Sequence, residues 1–257
     1  MARFVIEKVT ARFGPTTALD SVDLTIGAGE HVGLVGPSGS GKTTLLRLLN
    51  GGLRPDGGTV AVDGRPLAAL TNRELRRLRS RIGLVPQDHS LVPNLRVSQN
   101  VISGRLGRLS FPGALRATFF PRKSELEKVH SILDRVGIPE KIFERTDRLS
   151  GGQQQRVAIA RTLMQEPEAV LADEPVSSVD PARARDTVAL LTRLCEAEGI
   201  TLVMSLHNLD LARAWFPRLV GLRQGKIVFD RATETIPDEE FDALYDLSRS
   251  EILANGA

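Results

Sequence analysis

The chain has 257 residues, of which 41% are hydrophobic and 25% charged, and its formal net charge at pH 7 is +3. This composition is typical of a globular protein with a substantial core, and the mild charge predicts no nucleic-acid partner. The amino-terminal residues lack the apolar stretch of a signal peptide and no segment is apolar for about 18 residues, so we expect neither export nor a membrane span.

Short apolar runs alternate with turns in the first part of the chain, which predicts β-strands. The strands predicted before residue 88 are Arg3 to Val9, Ser21 to Ile26, His31 to Val35, Thr59 to Gly64 and Arg81 to Val85. Between the last two, the spacing of Thr71 and Glu74 predicts a capping box that begins a charged helix.

The character of the chain changes over residues 88 to 165, where helical periodicity replaces strand patterns and predicts an inserted helical subdomain. Apolar runs typical of a parallel sheet buried on both faces follow at Ala169 to Ala172 and Ile200 to Met204. Between them, Pro181 to Glu198 predicts a helix with proline in its first turn. The single cysteine, Cys195, lies in this helix, where we expect a buried small side chain.

A glycine-rich stretch after the strand His31 to Val35 fits the pattern G-x-x-x-x-G-K-[ST] and is followed by a helical pattern. Its residues are Gly36, Pro37, Ser38, Gly39, Ser40, Gly41, Lys42, Thr43 and Thr44. Glycines let backbone N–H groups surround a polyphosphate, and the positive end of the helix points at it. Lys42 is predicted to reach the β- and γ-phosphates, and Thr43 to bind Mg²⁺. A glycine-rich turn without a ligand rarely shows this strand–loop–helix setting, so the stretch predicts a nucleoside triphosphate site.

Two acids end the apolar run that begins at Ala169. Asp173 is predicted to hold Mg²⁺ through water, and Glu174 to polarise the attacking water as a general base. His207 ends the apolar run that begins at Leu202 and is a candidate sensor of the γ-phosphate. A solvated turn for the acids and a structural role for the histidine are the alternatives.

The stretch Leu149 to Arg156 predicts a second anion site. Ser150 is a predicted N-cap, Gln153 has the spacing of a capping box, and Gly151 and Gly152 expose the backbone amides of a helix N-terminus. The glycine-rich loop and this helix N-terminus would both bind one triphosphate only if they faced each other with the nucleotide between them.

With this spacing of the phosphate loop, Gln87, Leu149 to Gln153, the acid pair and His207, the sequence resembles the ATP-binding cassette (ABC) ATPases over roughly residues 3 to 230. The resemblance implies an α/β P-loop NTPase core with an N-terminal antiparallel β layer and an inserted helical subdomain. It divides the chain into a nucleotide-binding core (1–87 and 166–230), a helical signature subdomain (88–165) and a C-terminal helical extension (231–257).

The resemblance also implies roles for individual residues, with ATP and Mg²⁺ as ligands. Phe13 is expected to stack on adenine, the alternative being a core phenylalanine, and Gln87 to touch Mg²⁺ or the attacking water. Glu174, His207 and Gln87 form the expected catalytic set. Thr43, Gln87 and Asp173 are the expected metal ligands. Residues expected to contact the ATP of a partner subunit are Ser150, Gly151, Gly152, Gln153 and Asp180. The two residues before Asp180 are Ser178 and Val179, where the family commonly has Ala and Leu.

The resemblance implies a homodimer, or a heterodimer with a similar chain, because each site needs a signature from across the interface. Separate permease subunits and, indirectly, a periplasmic or lipoprotein solute-binding protein are the expected partners, with the chain peripheral at the cytoplasmic face of the inner membrane. The alternatives are an ATPase of a lipoprotein-release or cell-division complex and a soluble ABC ATPase of translation or DNA repair. The latter carry tandem cassettes or long coiled coils, which this sequence lacks.

The cargo is predicted from subgroup likeness. Asn100 to Arg108 and Phe119-Phe120-Pro121 resemble the phosphonate-import ATP-binding subunits. Importers of phosphate, methionine or polar amino acids share the general motifs and stay open as alternatives.

Two further segments have predicted roles. Arg105 to Lys123 is interpreted as a basic, aromatic-containing loop that docks a permease or anionic head groups. The alternative is a loop that folds its phenylalanines onto its own subdomain. The acidic segment Pro237 to Tyr245 is predicted to be helical and to serve as a packing extension, with a dimer contact as the alternative.

Overall fold

The computed structural model describes residues 2–88, 90–176 and 181–246. The strands are β1 Phe4–Phe13, β2 Thr16–Ile26, β3 His31–Val35, β4 Gly57–Val62, β5 Arg65–Pro66, β6 Ile82–Val85, β7 Ala169–Asp173, β8 Thr201–Leu206, β9 Arg218–Arg223 and β10 Lys226–Ala232. The helices are α1 Lys42–Leu49, α2 Asn72–Arg79, α3 Val97–Ser103, α4 Phe111–Phe119, α5 Lys123–Arg135, α6 Gly151–Met164, α7 Pro181–Ala197, α8 Leu209–Trp215 and α9 Asp238–Tyr245.

The central sheet has six strands in the order β10-β9-β3-β8-β7-β6. The pairs from β9 to β6 are parallel, and β10 pairs antiparallel with β9. Alternate residues of β7 enter different cores: Val170 packs in the core that includes the helices after residue 97, and Leu171 in the core that includes α1. The predicted parallel sheet, buried on both faces, is therefore confirmed.

A second sheet of four strands, β2-β1-β4-β5, is antiparallel throughout. Its inner residues share a buried cluster with α1, so it covers one face of the central sheet. The hairpin of β1 and β2 turns at Gly14 and Pro15, which makes both strands longer than the alternation predicts. The N-terminal antiparallel layer is confirmed.

The region after residue 88 is helical, as predicted, with α3 to α6 in its described part. One interpretation there is wrong: residues 111–119, predicted within a loop, form α4. Pro112 lies in the first turn of α4, where its missing N–H costs nothing, and Pro121 lies beyond the helix end. The buried side chains of these helices continue into the core on one face of the central sheet.

The end of the described chain is a hairpin followed by a helix. Gln224 and Gly225 join β9 to β10 with φ angles of 48° and 74°, the left-handed conformation that two-residue hairpin turns require. The predicted C-terminal helix is confirmed as α9, and Cys195 in α7 is fully buried, as expected. Among the described residues, no helix is long and apolar enough to cross a membrane.

Candidate nucleotide site

The site lies at the carboxyl edge of the central sheet, where the ends of β3, β8, β7 and β6 are side by side. Three register pairs align these ends: Val35 with Leu206, Ser205 with Asp173, and Ala172 with Val85. In an open α/β sheet, ligands bind beyond this edge. The topology therefore places the glycine-rich loop, His207, Glu174 and Gln87 at one edge.

The glycine-rich loop needs glycine at both of its ends. Gly36 has φ +147°, and a Cβ there would lie 2.1 Å from the carbonyl oxygen of Leu222. Gly41, the N-cap of α1, has φ +107°, and its Cβ would lie 2.6 Å from the carbonyl oxygen of Ala18. Between them, the Ser40 hydroxyl is buried and has no hydrogen-bond partner among the described residues. A buried, unpartnered hydroxyl in a loop whose glycines let backbone amides approach a ligand fits a phosphate.

Lys42 lies inside this loop. Its ammonium donates to the carbonyl oxygens of Gly36 at 2.8 Å and Pro37 at 3.1 Å, and only 4% of the side chain is exposed. Burial lowers the pKa of Lys42, while the carboxylates of Glu174 and Asp173 act in the opposite direction. The ammonium is 3.7 Å from a Glu174 oxygen, so the loop and the acid pair form one charged cluster.

Asp173 is joined to helix α1 and to the neighbouring strand β8. Its Oδ1 accepts hydrogen bonds from the Thr43 hydroxyl at 3.1 Å and the Ser205 hydroxyl at 2.9 Å. The same Ser205 oxygen accepts from the backbone N–H of Glu174 at 2.8 Å. Ser205 thus fixes both acids, a role that the sequence reasoning missed because a serine inside an apolar strand carries no motif of its own.

Glu174 has a backbone conformation that non-glycine residues rarely adopt, with φ 46°. Such conformations concentrate at functional sites, where the surrounding structure maintains them. Its Oε1 is 2.6 Å from Nε2 of His207, whose side chain is 40% exposed. The sequence pattern predicts His207 as the last residue of its strand. In the structure β8 ends at Leu206, so His207 is the first residue after the strand. The carboxylate lies between a lysine and a histidine, not in a solvated turn.

The predicted second anion site is the N-terminus of α6, and its capping box is confirmed. The Ser150 hydroxyl accepts from the Gln153 N–H at 3.4 Å, and the Gln153 side chain accepts from the Ser150 N–H at 3.0 Å. A Cβ added to Gly151 or Gly152 would meet nothing within 4 Å. Within the described residues, no hydrogen bond joins this terminus to the glycine-rich loop. The described part of the chain therefore contains both predicted anion sites but no hydrogen bond between them.

Comparison with known proteins gives the family. The model of the ABC transporter family matches residues 19–177, which include the glycine-rich loop, the α6 N-terminus and the acid pair. The chain belongs to the ABC transporter family. The prediction of an ABC ATPase with an α/β P-loop fold is confirmed, and the chain is an ATP-binding, ATP-hydrolysing protein.

Three curated relatives of this ABC ATPase are import proteins. A phosphonates import ATP-binding protein of Anaeromyxobacter dehalogenans is 51% identical over 92% of this chain, which spans 47% of that relative's length. One of Nocardia farcinica is 48% identical over 93% of this chain and 88% of its own. A phosphate-import ATP-binding protein of Mycolicibacterium smegmatis is 47% identical over 94% of this chain and 91% of its own length.

A solved structure shows the same fold. It is a dimeric ATP-binding cassette in a post-hydrolysis state bound to ADP and Pi, 30% identical to this ABC ATPase, with a TM-score of 0.76. The match covers 91% of this chain and all of the other.

The remaining predicted site residues of this ABC ATPase are Gln87, Phe13 and Asp180. Gln87 is exposed, two residues beyond β6, at the edge that also holds Asp173. Phe13 ends β1 with 47% of its surface exposed, which excludes the alternative of a core phenylalanine. Asp180, with its neighbours Ser177 to Val179, lies outside the described residues.

Two contacts of this ABC ATPase have no counterpart in the sequence reasoning. The buried side chain of Gln155, in α6, donates to the carbonyl oxygen of Pro175, directly after Glu174. The hydroxyl of Tyr245, in α9, accepts a hydrogen bond from the N–H of Gly36 at 3.1 Å. The contacting residues are 20 and 209 positions apart, so no local pattern announces them.

Proposed function

We propose that this chain energises an importer of phosphonate, or of a related phosphorus oxyanion such as phosphate, by hydrolysing ATP in a head-to-tail dimer. One observation carries the mechanism: Glu174 lies between Lys42 and His207 at the mouth of a phosphate loop, while the chain's other anion site faces solvent. The names of relatives that are 47% and 48% identical to this chain support phosphonate or phosphate as the cargo.

Each residue at the sheet edge has a proposed task. Lys42 neutralises the β- and γ-phosphates, Glu174 accepts the proton of the attacking water, and His207 contacts the γ-phosphate. Phe13 supplies an exposed aromatic face for adenine.

Mg²⁺ fits the donors present. The Thr43 and Asp173 oxygens are 3.1 Å apart, and Mg²⁺ is usually bound by one or two protein oxygens together with phosphates and waters. We propose that Thr43 binds the ion directly, Asp173 through water, and that Gln87 reaches the ion or the attacking water. When bound, Mg²⁺ neutralises developing charge on the phosphates.

The separation of the two anion sites supports completion of each site by a second copy. We propose that Ser150 to Gln153 of one subunit, together with Asp180, contact the ATP held by the loop of the other. In the dimer, residues 88–165 act as the signature subdomain and residues 1–87 with 166–230 as the nucleotide-binding core. The solved dimer of a related cassette bound to ADP and Pi supports this arrangement.

A separate permease is the proposed membrane partner, with the chain peripheral to the inner membrane on its cytoplasmic side and a solute-binding protein supplying the cargo. The surface proposed for the permease is α4. Phe111, Leu115, Phe119 and Phe120 are 81%, 53%, 55% and 78% exposed, so these side chains do not fold onto their own subdomain. Arg116 and Arg108 are paired with Glu125 and Glu166, which favours an apolar contact over binding to anionic head groups.

The test is reconstitution. The chain would be assembled in liposomes with the permease and solute-binding protein of its own organism, and ATP hydrolysis measured with methylphosphonate, phosphate or methionine inside the binding-protein compartment. We expect phosphonate or phosphate to stimulate hydrolysis and methionine to leave it at the basal rate. The same assembly with Glu174→Gln is the control, since it keeps every contact surface and should show no stimulated hydrolysis.

Stimulation by methionine alone would contradict the proposed cargo but keep the ATPase. Absence of ATP hydrolysis in every assembly and in the free chain would contradict the mechanism itself.

A further inference from the structure

The C-terminal helix α9 is part of the nucleotide-site architecture. Its last residue, Tyr245, is the chain's only tyrosine, and its hydroxyl accepts the N–H of Gly36 at 3.1 Å. Gly36 is the first residue of the phosphate loop, and its carbonyl oxygen accepts from Lys42 at 2.8 Å. The same glycine is therefore fixed on one side by α9 and on the other by the phosphate-binding lysine.

Helix α9 is anchored to the body of the protein independently of this hydrogen bond. Phe241 packs edge-to-face on Phe229 of β10 at 5.6 Å between ring centroids, and the Arg213 guanidinium lies 4.1 Å above the Phe241 ring. Leu244 is 2% exposed. Arg223 of β9 donates to backbone carbonyl oxygens at the end of the helix. Tyr245 is thus presented to the loop from a fixed position.

The position of Gly36 decides the path of the loop. Its φ of +147° suits glycine alone, and the carbonyl oxygen of Leu222 occupies the place where a Cβ would lie. Its N–H is beyond the last residue of β3, so the phenol supplies the partner for this half-buried donor. Burial raises the pKa of Tyr245, the Gly36 hydrogen bond opposes this, and the charge of Glu174 adds to it, so the phenol stays protonated at neutral pH.

We propose that Tyr245 is a positioning residue for ATP: its hydroxyl holds the start of the phosphate loop in the conformation that binds the nucleotide, which makes α9 a determinant of nucleotide affinity. The inference rests on the proposed function for the identity of the ligand. Losing the hydroxyl frees Gly36 before binding, and ordering it again on binding costs affinity.

The first test compares Tyr245→Phe with a control on the same helix, Asp242→Asn, whose side chain is exposed. Loss of one hydrogen bond of ordinary strength predicts a rise of about three- to tenfold in the KM for ATP and in the Kd for ADP, with kcat within about twofold of the parent. The melting temperature should change little, because Phe241 and Leu244 still anchor the helix. Asp242→Asn should leave all four quantities at parental values.

The second test uses the intact sequence. Incorporation of 3-fluorotyrosine gives a single ¹⁹F resonance, since the chain has one tyrosine. We expect this resonance to shift on titration with ADP and Mg²⁺, with the same midpoint as binding measured by calorimetry.

The outcomes are separable. A parent chain that binds no ADP would overturn the proposed function and the role of Tyr245 with it. A parent that binds ADP, together with an unchanged ¹⁹F resonance at saturation or equal Kd values for parent and Tyr245→Phe, would overturn this inference alone.

Discussion

The N-termini of α1 and α6 are the two proposed phosphate sites, and they differ in their capping. The α1 terminus has Gly41 as its N-cap with no side-chain cap, and it is surrounded by Lys42, Asp173 and Tyr245 of its own chain. The α6 terminus has a complete capping box made by Ser150 and Gln153, and Ser150 and Gly151 are exposed.

From this difference we expect the α1 terminus to bind the nucleotide first. At α1 the N-cap makes no side-chain hydrogen bond and the Lys42 ammonium already lies in the loop, so we expect this site to accept a polyphosphate within one chain. At α6 the cap stabilises the helix locally and the glycines leave room for an approaching group. On the proposed function, we expect the α6 terminus to add to a nucleotide that the α1 terminus already holds.

The largest effect is expected from Glu174→Gln, which removes the base and leaves both helix termini unchanged. We expect turnover to fall by about 10²- to 10⁴-fold, the usual contribution of a general base, while ATP binding persists. Single-turnover hydrolysis measures the fall in turnover. Light scattering in the presence of ATP and Mg²⁺ should show a stable dimer of the variant. Hydrolysis at the parental rate would refute the assignment of the base.

A smaller effect is expected from mixing two inactive variants. This experiment tests directly whether the α1 terminus of one chain works with the α6 terminus of another. Lys42→Ala disables the α1 site, and Gly152→Asp places a negative charge at the α6 terminus. Mixed dimers then contain one site with neither change, so activity should return to about a quarter of the parental value if the sites act independently. If each chain completed its own site, the mixture would stay inactive.

Gly152→Asp is suited to this experiment because it should fold. A Cβ at Gly152 meets nothing within 4 Å, and an acid in the first turn is favourable for a helix. The uncharged Gly152→Asn is the matched control and should retain more activity, because it lacks the repulsion of phosphate.

The parts of the site that the sequence predicts are those with local motifs at strand ends. The loop from Gly36 to Thr44, the acids Asp173 and Glu174, and His207 each follow an apolar strand, and parallel pairing brings them together. The capping box at Ser150 is likewise a short-range pattern. Such features are readable because spacing along the chain fixes their geometry.

The parts that the sequence does not predict depend on contacts between distant residues or on a misread signal. Tyr245 meets Gly36 from 209 positions away, and Ser205 joins Asp173 across two strands. Helix α4 lies in a segment interpreted from the sequence as a loop, although Ser110-Phe111-Pro112 is a usual helix start. Gln224 and Gly225 form a hairpin turn, although no strand is predicted from the sequence on either side of them.

The smallest effect is expected from a change in the helical region that carries the α6 terminus. This change should alter stability and leave the α1 site unchanged. Glu125 of α5 accepts two hydrogen bonds from the Arg116 guanidinium of α4, each 2.8 Å, and one from the Arg122 N–H at 2.7 Å. The Arg116 hydrogen bonds, with help from Arg122, lower the pKa of Glu125 from 4.5 to about 2.

Because the folded-state pKa lies below the ordinary one, the pair contributes its full stability above pH 4.5 and loses it as the pH falls toward 2. Glu125→Gln should therefore lower the melting temperature by a few degrees at pH 7, and the gap to the parent should narrow between pH 5 and pH 3. Calorimetry over this range measures the gap. The KM for ATP should not change, since no hydrogen bond or ion pair joins α4 or α5 to the phosphate loop among the described residues. A raised KM would show that the two regions are coupled within one chain.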